Sequence, residues 1–163
     1  MDFKHAIRTS LGMAEFFTQS YLGDLTPAEL LVRPAPGANH AAWQLGHLIW
    51  AETRLVDAAS HGSMPALPEG FMEKHTKDTA ASDNPRDFLT KEEYFQLAAA
   101  THKATLAALD KCNDADLERA PSGRVPPFVK TGADCFVVAA NHWALHAGQW
   151  AVLRRKLGRP VQF

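Results

Sequence analysis

Two histidines four residues apart, His142 and His146, have the spacing of a metal site. Residues four apart lie on one face of a helix, one turn from each other, so both imidazoles can bind one ion through bonds of about 2.0–2.1 Å. His47 lies in a second helical pattern, beside Trp43 and Trp50, and this apolar line turns it toward the protein interior. The pattern therefore favours one divalent metal ion held by these three histidines.

A structural role for the same histidines is the alternative, because a single inward-facing histidine is more often a hydrogen-bonded core residue than a ligand. Three buried imidazoles without a shared ion would each need a separate hydrogen-bond partner. Three imidazoles also leave positions on the ion open to water or substrate, as in a catalytic site rather than a closed structural one. Imidazole suits several transition metals, and we expect zinc or nickel, with iron as an alternative.

Residues next to the histidines limit the chemistry. Trp143 follows His142 where the zincin protease motif requires a glutamate as general base, which excludes that class. Glu52 lies five residues after His47, about 140° round the helix, so we expect it to be a second-shell or surface carboxylate rather than a ligand. Gln149 shares the face of the histidine pair, where it either orients an imidazole, binds a substrate or packs between helices.

Candidate substrate contacts come from aromatic residues and from arginines in loops. We expect Trp43 and Trp143 to wall a pocket as well as to fill the core. Arg33, Arg86 and Arg124 are candidates to receive a substrate carboxylate, and of these we assign Arg124 to substrate binding. The remaining histidines show no mutual ligand spacing, so we expect them to be solvent-exposed or to cap helices: His5, His40, His61, His75 and His102.

Apolar residues at three- and four-residue steps predict four long helices. Gly23 can end the first by adopting a left-handed cap, and Asn39 is the expected N-cap of the second. Thr90 with Glu93 forms a capping box that opens the third. The expected elements are helix one from Phe3 to Gly23, helix two over about 41–60, helix three from Thr90, helix four from Thr131 to about Leu157, and short turns after Thr26 and over 114–117.

Residues 61–88 form a connection rich in Gly, Pro, Asp and Ser, well beyond the roughly 12–15 residues usual for a loop without secondary structure. It is interpreted as a crossover or a lid. No segment shows convincing strand alternation. The sequence therefore predicts an all-α fold, a single four-helix-bundle domain over residues 1–163, in which the crossover lets helices two and three run parallel.

Composition narrows the class of protein. The chain has 163 residues, of which 46% are hydrophobic and 21% charged, with a net charge of -1. It lacks the basic stripe of a nucleic-acid binder and the polar bias of a disordered chain. No run of about 18 apolar residues occurs, so we expect neither a signal peptide nor a membrane span. Two distant cysteines without metal-site spacing indicate a reducing compartment, the cytoplasm.

Two segments resemble the DinB-like superfamily, which includes YfiT-type metal-dependent hydrolases and metal-dependent thiol transferases. They are NHAAWQLGHLIWAE, over residues 39–52, and NHWALHAGQWAVLRRKLGRP, over residues 141–160. The resemblance spans nearly the whole chain. It implies a four-helix bundle with up-down-down-up topology, often a homodimer, with one metal ion on His47 and on the HxxxH pair His142 and His146.

The resemblance leaves three functions in competition. The first is an enzyme whose metal activates a low-molecular-weight thiol for S-transfer or isomerisation. The second is a hydrolase that uses metal-bound water and needs a nearby general base, which the sequence does not clearly provide. The third is a non-enzymatic module that binds metal or a small ligand. The first is the leading expectation, with a small-molecule partner and no nucleic acid or membrane partner.

Overall fold

The computed structural model describes residues 3–161, and in this part of the chain the regular structure is helical, without a strand. The prediction of an all-α fold is confirmed. Four long helices and two short ones are present, as expected from the periodicity and the capping residues. They are α1 (Phe3–Leu22), α2 (Pro27–Leu30), α3 (Ala41–Ala59), α4 (Lys91–Lys111), α5 (Asp114–Glu118) and α6 (Gly132–Lys156).

The four long helices pack in pairs around the core. Both α1 and α3 contact α4 and α6, while the short α5 packs on α6. Buried side chains form two clusters, one around Trp43, Tyr94 and Trp150 and the other around Leu11 and Phe136. Burial of these apolar faces is the main force that holds the helices together. No helix among the described residues is long and apolar enough to cross a membrane.

Helix starts follow the predicted caps with one exception. Thr90 and Thr131 cap α4 and α6, each through a complete capping box. The N-cap of α3 is His40 rather than the predicted Asn39, because Nδ1 of His40 accepts a hydrogen bond from the backbone N–H of Trp43 at 3.1 Å. Nε2 of His40 then carries the proton and donates to the carbonyl of Ser82 at 3.1 Å.

The prediction that Gly23 adopts a left-handed cap is wrong. Gly23 follows the last residue of α1 but is absent from the glycines with positive φ. Its N–H donates to the carbonyl of Gln19, and a Cβ at Gly23 would lie 2.4 Å from that oxygen. Glycine is therefore required here by the close approach of the backbone rather than by its dihedral angles.

The long connection over 61–88 is held by hydrogen bonds to other parts of the chain. Short 3-10 turns form at Glu73–His75 and Pro85–Asp87. Arg33 binds the carboxylate of Asp83 at 2.7 Å and donates to the carbonyls of Ala38, Ala80 and Ser82. The interpretation of Arg33 as a substrate-binding arginine is therefore wrong, since its guanidinium is already engaged. Arg86 is exposed in the second 3-10 turn.

Candidate metal centre

His47 of α3 faces His142 and His146 of α6, so the three predicted ligands meet. Their ring centroids lie 5.0 Å apart for His47–His142, 5.8 Å for His47–His146 and 5.0 Å for the pair on α6. One nitrogen of each imidazole lies within 4.8 Å of a nitrogen of the others. Ligands on one ion at about 2.0–2.1 Å lie roughly 3–4 Å apart, so small side-chain rotations suffice. The three histidines can hold a metal ion.

Buried nitrogens without partners support this fit. Nδ1 of His47 and Nδ1 of His146 are buried and make no hydrogen bond. Burial lowers the pKa of His142 to about 4, with a further contribution from the nearby His47 imidazole. Burial likewise lowers the pKa of His146 to about 3, with its two neighbouring imidazoles adding to the effect. The imidazoles are therefore neutral at pH 7, the form that binds a metal ion.

Two hydrogen-bonded bridges between α3 and α6 bracket the cluster. On one side, Trp150 donates from Nε1 to Oε1 of Gln44 at 2.6 Å. On the other, Trp143 donates from Nε1 to Oε2 of Glu52 at 2.7 Å. Gln44 lies one turn before His47, and Glu52 lies beyond it. Because all four bridging side chains are buried, these contacts fix the separation of the helices that supply the ligands.

Glu52 is part of a buried polar group rather than of the surface. Its exposed fraction is 2%, and Oε1 accepts a hydrogen bond from the hydroxyl of Thr105 at 2.6 Å. The imidazole of His102 lies 4.0 Å from the same carboxylate. Burial raises the pKa of Glu52 against the opposing hydrogen bonds from Thr105 and Trp143. Through Trp143, the residue beside His142, Glu52 is hydrogen-bonded to the part of α6 that carries the two histidines.

The other predicted site residues, Trp43, Trp143 and Gln149, lie in different surroundings. The Trp43 ring stacks on the His47 imidazole, with centroids 4.8 Å apart and planes at 10°. Trp143 is buried against Glu52 and does not line the pocket next to His142. Gln149 accepts a hydrogen bond from Gln44 at 2.8 Å, which matches its helix-packing interpretation. Substrate contact by Trp43 and Trp143 stays a prediction.

Three histidines assigned to solvent or capping roles are buried. His40 has an exposed fraction of 0%, His75 of 0% and His102 of 8%. His40 does cap α3, but the prediction is wrong for His75 and His102, whose partners are distant in sequence: Tyr94 for His75 and Glu52 for His102. Spacing along a helix cannot reveal such pairs. The glycine at position 46, opposite His75, is the one local signal of a close neighbour.

A pocket of about 400 Å³ opens beside His142. Its walls are mainly apolar and include Phe128 and Leu145, both with large exposed side chains. Arg54 and Arg124 also line it, as does Trp50. A second pocket of about 600 Å³ shares these three residues, so the two adjoin. Arg54 is a pocket residue that the sequence analysis missed, because a charged residue on a helix is normally only solvated.

Acid should destabilise the metal-free protein through the site histidines. The pKa values of His142 and His146, about 4 and about 3, lie below the roughly 6.5 of a histidine in an unfolded chain, so the unfolded state binds more protons. We expect the free energy of unfolding to fall as pH decreases from about 6.5 to about 4, less steeply in a His142→Ala variant. Urea unfolding of both metal-free proteins across this range measures the slopes. Identical slopes would contradict the burial of these imidazoles.

Comparison with known proteins agrees with this architecture. A crystal structure of a conserved protein from Enterococcus faecalis has a TM-score of 0.71 to this chain at 19% sequence identity, covering 98% of this chain and 99% of the other. This likeness shows a shared fold. A search of curated proteins found no match. The sequence model of the DinB superfamily matches residues 18–150, which include all three histidines. The chain therefore belongs to the DinB superfamily.

Proposed function

We propose that this chain is a metal-dependent enzyme that activates a low-molecular-weight thiol for S-transfer or isomerisation. The observation that carries the proposal is the pocket of about 400 Å³ that opens at His142, one of the three clustered histidines. His47, His142 and His146 would hold a divalent ion, zinc or nickel in our proposal, which would supply the Lewis acidity that lowers the pKa of a bound thiol. The protein supplies neutral ligands and a shaped, mostly apolar cavity.

The pocket suits a substrate with an apolar body and a negatively charged end. Arg54 lies over the Trp50 ring at 4.9 Å and donates a hydrogen bond to the backbone carbonyl of Arg124. Within residues 3–161, neither guanidinium forms an ion pair with a carboxylate. Both arginines are therefore available to a carboxylate of the substrate, in the role that the sequence analysis gave to Arg124.

Binding of thiols to the cobalt-loaded protein tests this assignment. We expect thiols that carry a carboxylate, presented as a series of increasing length, to bind more tightly than 2-mercaptoethanol. Replacement Arg124→Met should weaken their binding about tenfold, because it removes one charged hydrogen bond. The change leaves the backbone carbonyl that accepts from Arg54 in place. Thiolate-to-cobalt charge-transfer absorption reports the affinity directly.

Arg155→Met is the matched control, since Arg155 is exposed near the end of α6. It should leave thiol affinity unchanged, and neither substitution should alter the affinity for 2-mercaptoethanol. Absence of charge-transfer absorption with every thiol would overturn thiol activation. Equal affinities in the wild type and Arg124→Met would refute the role of Arg124 alone.

Hydrolysis is the second candidate function, and it requires a general base close to the ion. The residues that line the pocket beside His142 include no aspartate or glutamate, and Asp57 lines only the adjoining pocket. The nearest buried carboxylate on α3, Glu52, is bound to Trp143 and Thr105. These positions favour thiol activation over hydrolysis. The third candidate, a non-enzymatic binding module, would not need an open pocket beside a metal-ligating histidine such as His142.

We also propose the up-down-down-up topology that the resemblance implies. Hydrogen bonds support it: Lys91, at the start of α4, binds carbonyls after the end of α1, and Arg154, near the end of α6, binds the carbonyl of Tyr21 near the end of α1. In the bridges Gln44–Trp150 and Glu52–Trp143, the earlier residue of α3 bonds the later residue of α6, as in antiparallel helices. A cytoplasmic homodimer remains our expectation for the assembled protein.

A further inference from the structure

The long connection between α3 and α4 lies directly against the residue that precedes His47. The imidazole of His75, from this connection, is fully buried. A Cβ built on Gly46 would lie 2.1 Å from Nε2 of His75. The ring of His75 therefore occupies the space that any side chain at position 46 would need. The connection therefore packs against α3 at the residue next to the predicted ligand His47.

Two hydrogen bonds hold His75 in this place and define its tautomer. Nδ1 lies 2.7 Å from the carbonyl of Phe71, which can only accept, so Nδ1 carries the proton. Nε2 then accepts from the hydroxyl of Tyr94 on α4, at 2.6 Å. Burial lowers the pKa of His75 to about 4 and raises the pKa of Tyr94, so both groups keep these protons near neutral pH. His75 thus joins the connection to α4 while it packs against Gly46 of α3.

The next residue, Thr76, is linked to the metal ligand through an indole. Its carbonyl accepts a hydrogen bond from Nε1 of Trp43 at 3.2 Å, and the Trp43 ring stacks on His47. The orientation of the His47 imidazole is therefore set in part by residues 71–76 of the connection.

We propose that His75 is a positioning residue of the metal centre: it locks residues 71–76 onto α3, so that Trp43 holds the His47 imidazole in the orientation that binds metal. The connection is then a fixed outer shell of the site rather than a lid. The inference rests on metal binding by the three histidines, one part of the proposed function, and does not depend on thiol chemistry. Groups that hydrogen-bond a metal ligand directly typically contribute 10–100-fold to metal affinity, and His75 acts one step further from the ligand.

Cobalt binding to variants of the full chain tests the proposal. Competition with a chromophoric chelator gives the affinity, and the d–d absorption of bound cobalt reports the ligand geometry. We expect His75→Ala to lower the affinity about tenfold, at the lower end of the range for direct partners of a ligand, and to alter the absorption spectrum. His61→Ala removes an exposed histidine at the start of the same connection, one that pairs with Asp57, and should leave both readouts unchanged.

A double variant gives a second, independent readout. Gly46→Ala alone should weaken cobalt binding, because the new Cβ collides with His75. In a His75→Ala background the collision is gone, so adding Gly46→Ala should produce no further loss. Full additivity of the two losses would contradict a direct contact between these positions.

The outcomes separate this inference from the proposed function. Wild-type protein that binds no cobalt overturns metal binding itself. Wild-type protein that binds cobalt, together with a folded His75→Ala variant of unchanged affinity and spectrum, overturns the positioning role. If His75→Ala does not fold, Tyr94→Phe decides, since it keeps the ring and removes only the hydroxyl that binds Nε2. A several-fold loss of affinity is expected, and no loss would overturn the proposal.

Discussion

Replacing Glu52 with alanine is expected to lower the free energy of unfolding by about 2–4 kcal/mol. The substitution leaves Nε1 of Trp143 and the hydroxyl of Thr105 buried without their acceptor. Each unsatisfied group costs about 1–3 kcal/mol, and the cavity adds to the loss. Relief of the unfavourable burial of the carboxyl group offsets part of this. Urea unfolding of the metal-free proteins measures the difference.

Two control variants isolate the hydrogen bonds of Glu52. Glu52→Gln keeps an acceptor for Trp143 and a donor for the Thr105 oxygen, so its loss of stability should be well under that of the alanine variant. Glu15, on α1, lines a small cavity together with Glu52 but is exposed, so Glu15→Ala should change stability by no more than about 0.5 kcal/mol. Equal stability of Glu52→Ala and the wild type would show that these bonds do not tie α3 to α6.

The sequence was sufficient to find the three histidines and the helices that carry them. His142 and His146 are related by helix geometry alone, so their shared face follows from spacing. The apolar line around His47 indicated an inward direction, and the structure brings it to the other two. Thr90 and Thr131 marked helix starts correctly because a capping box is a local arrangement within four residues.

The surroundings of the site could not be derived in the same way, because they depend on contacts between distant segments. His75 belongs to a segment without periodicity, and its burial follows from packing on Gly46 and from the bond to Tyr94. Arg33 binds residues about 50 positions away. The angle of Glu52 on the helix predicts that it is not a ligand, but its partners on α4 and α6 required the fold.

Loss of metal is the largest functional effect that we expect. The double substitution His142→Ala and His146→Ala removes two of three imidazoles and leaves His47 alone, and one imidazole does not retain an ion against dilution. The fold should persist, since alanine favours the helix at both positions and Nδ1 of His146 has no hydrogen bond to lose. Circular dichroism provides that check, and His5→Ala, at an exposed histidine of α1, is the control for metal binding.

The most direct test is the metal content of protein prepared without a histidine tag or chelator, loaded with zinc or nickel and freed of excess ion by gel filtration. Elemental analysis should find about one ion per chain in the wild type and in His5→Ala, as one three-histidine cluster implies. The double variant should contain almost none. Equal, negligible metal in the wild type and the double variant would contradict the metal centre and leave the three histidines as core residues.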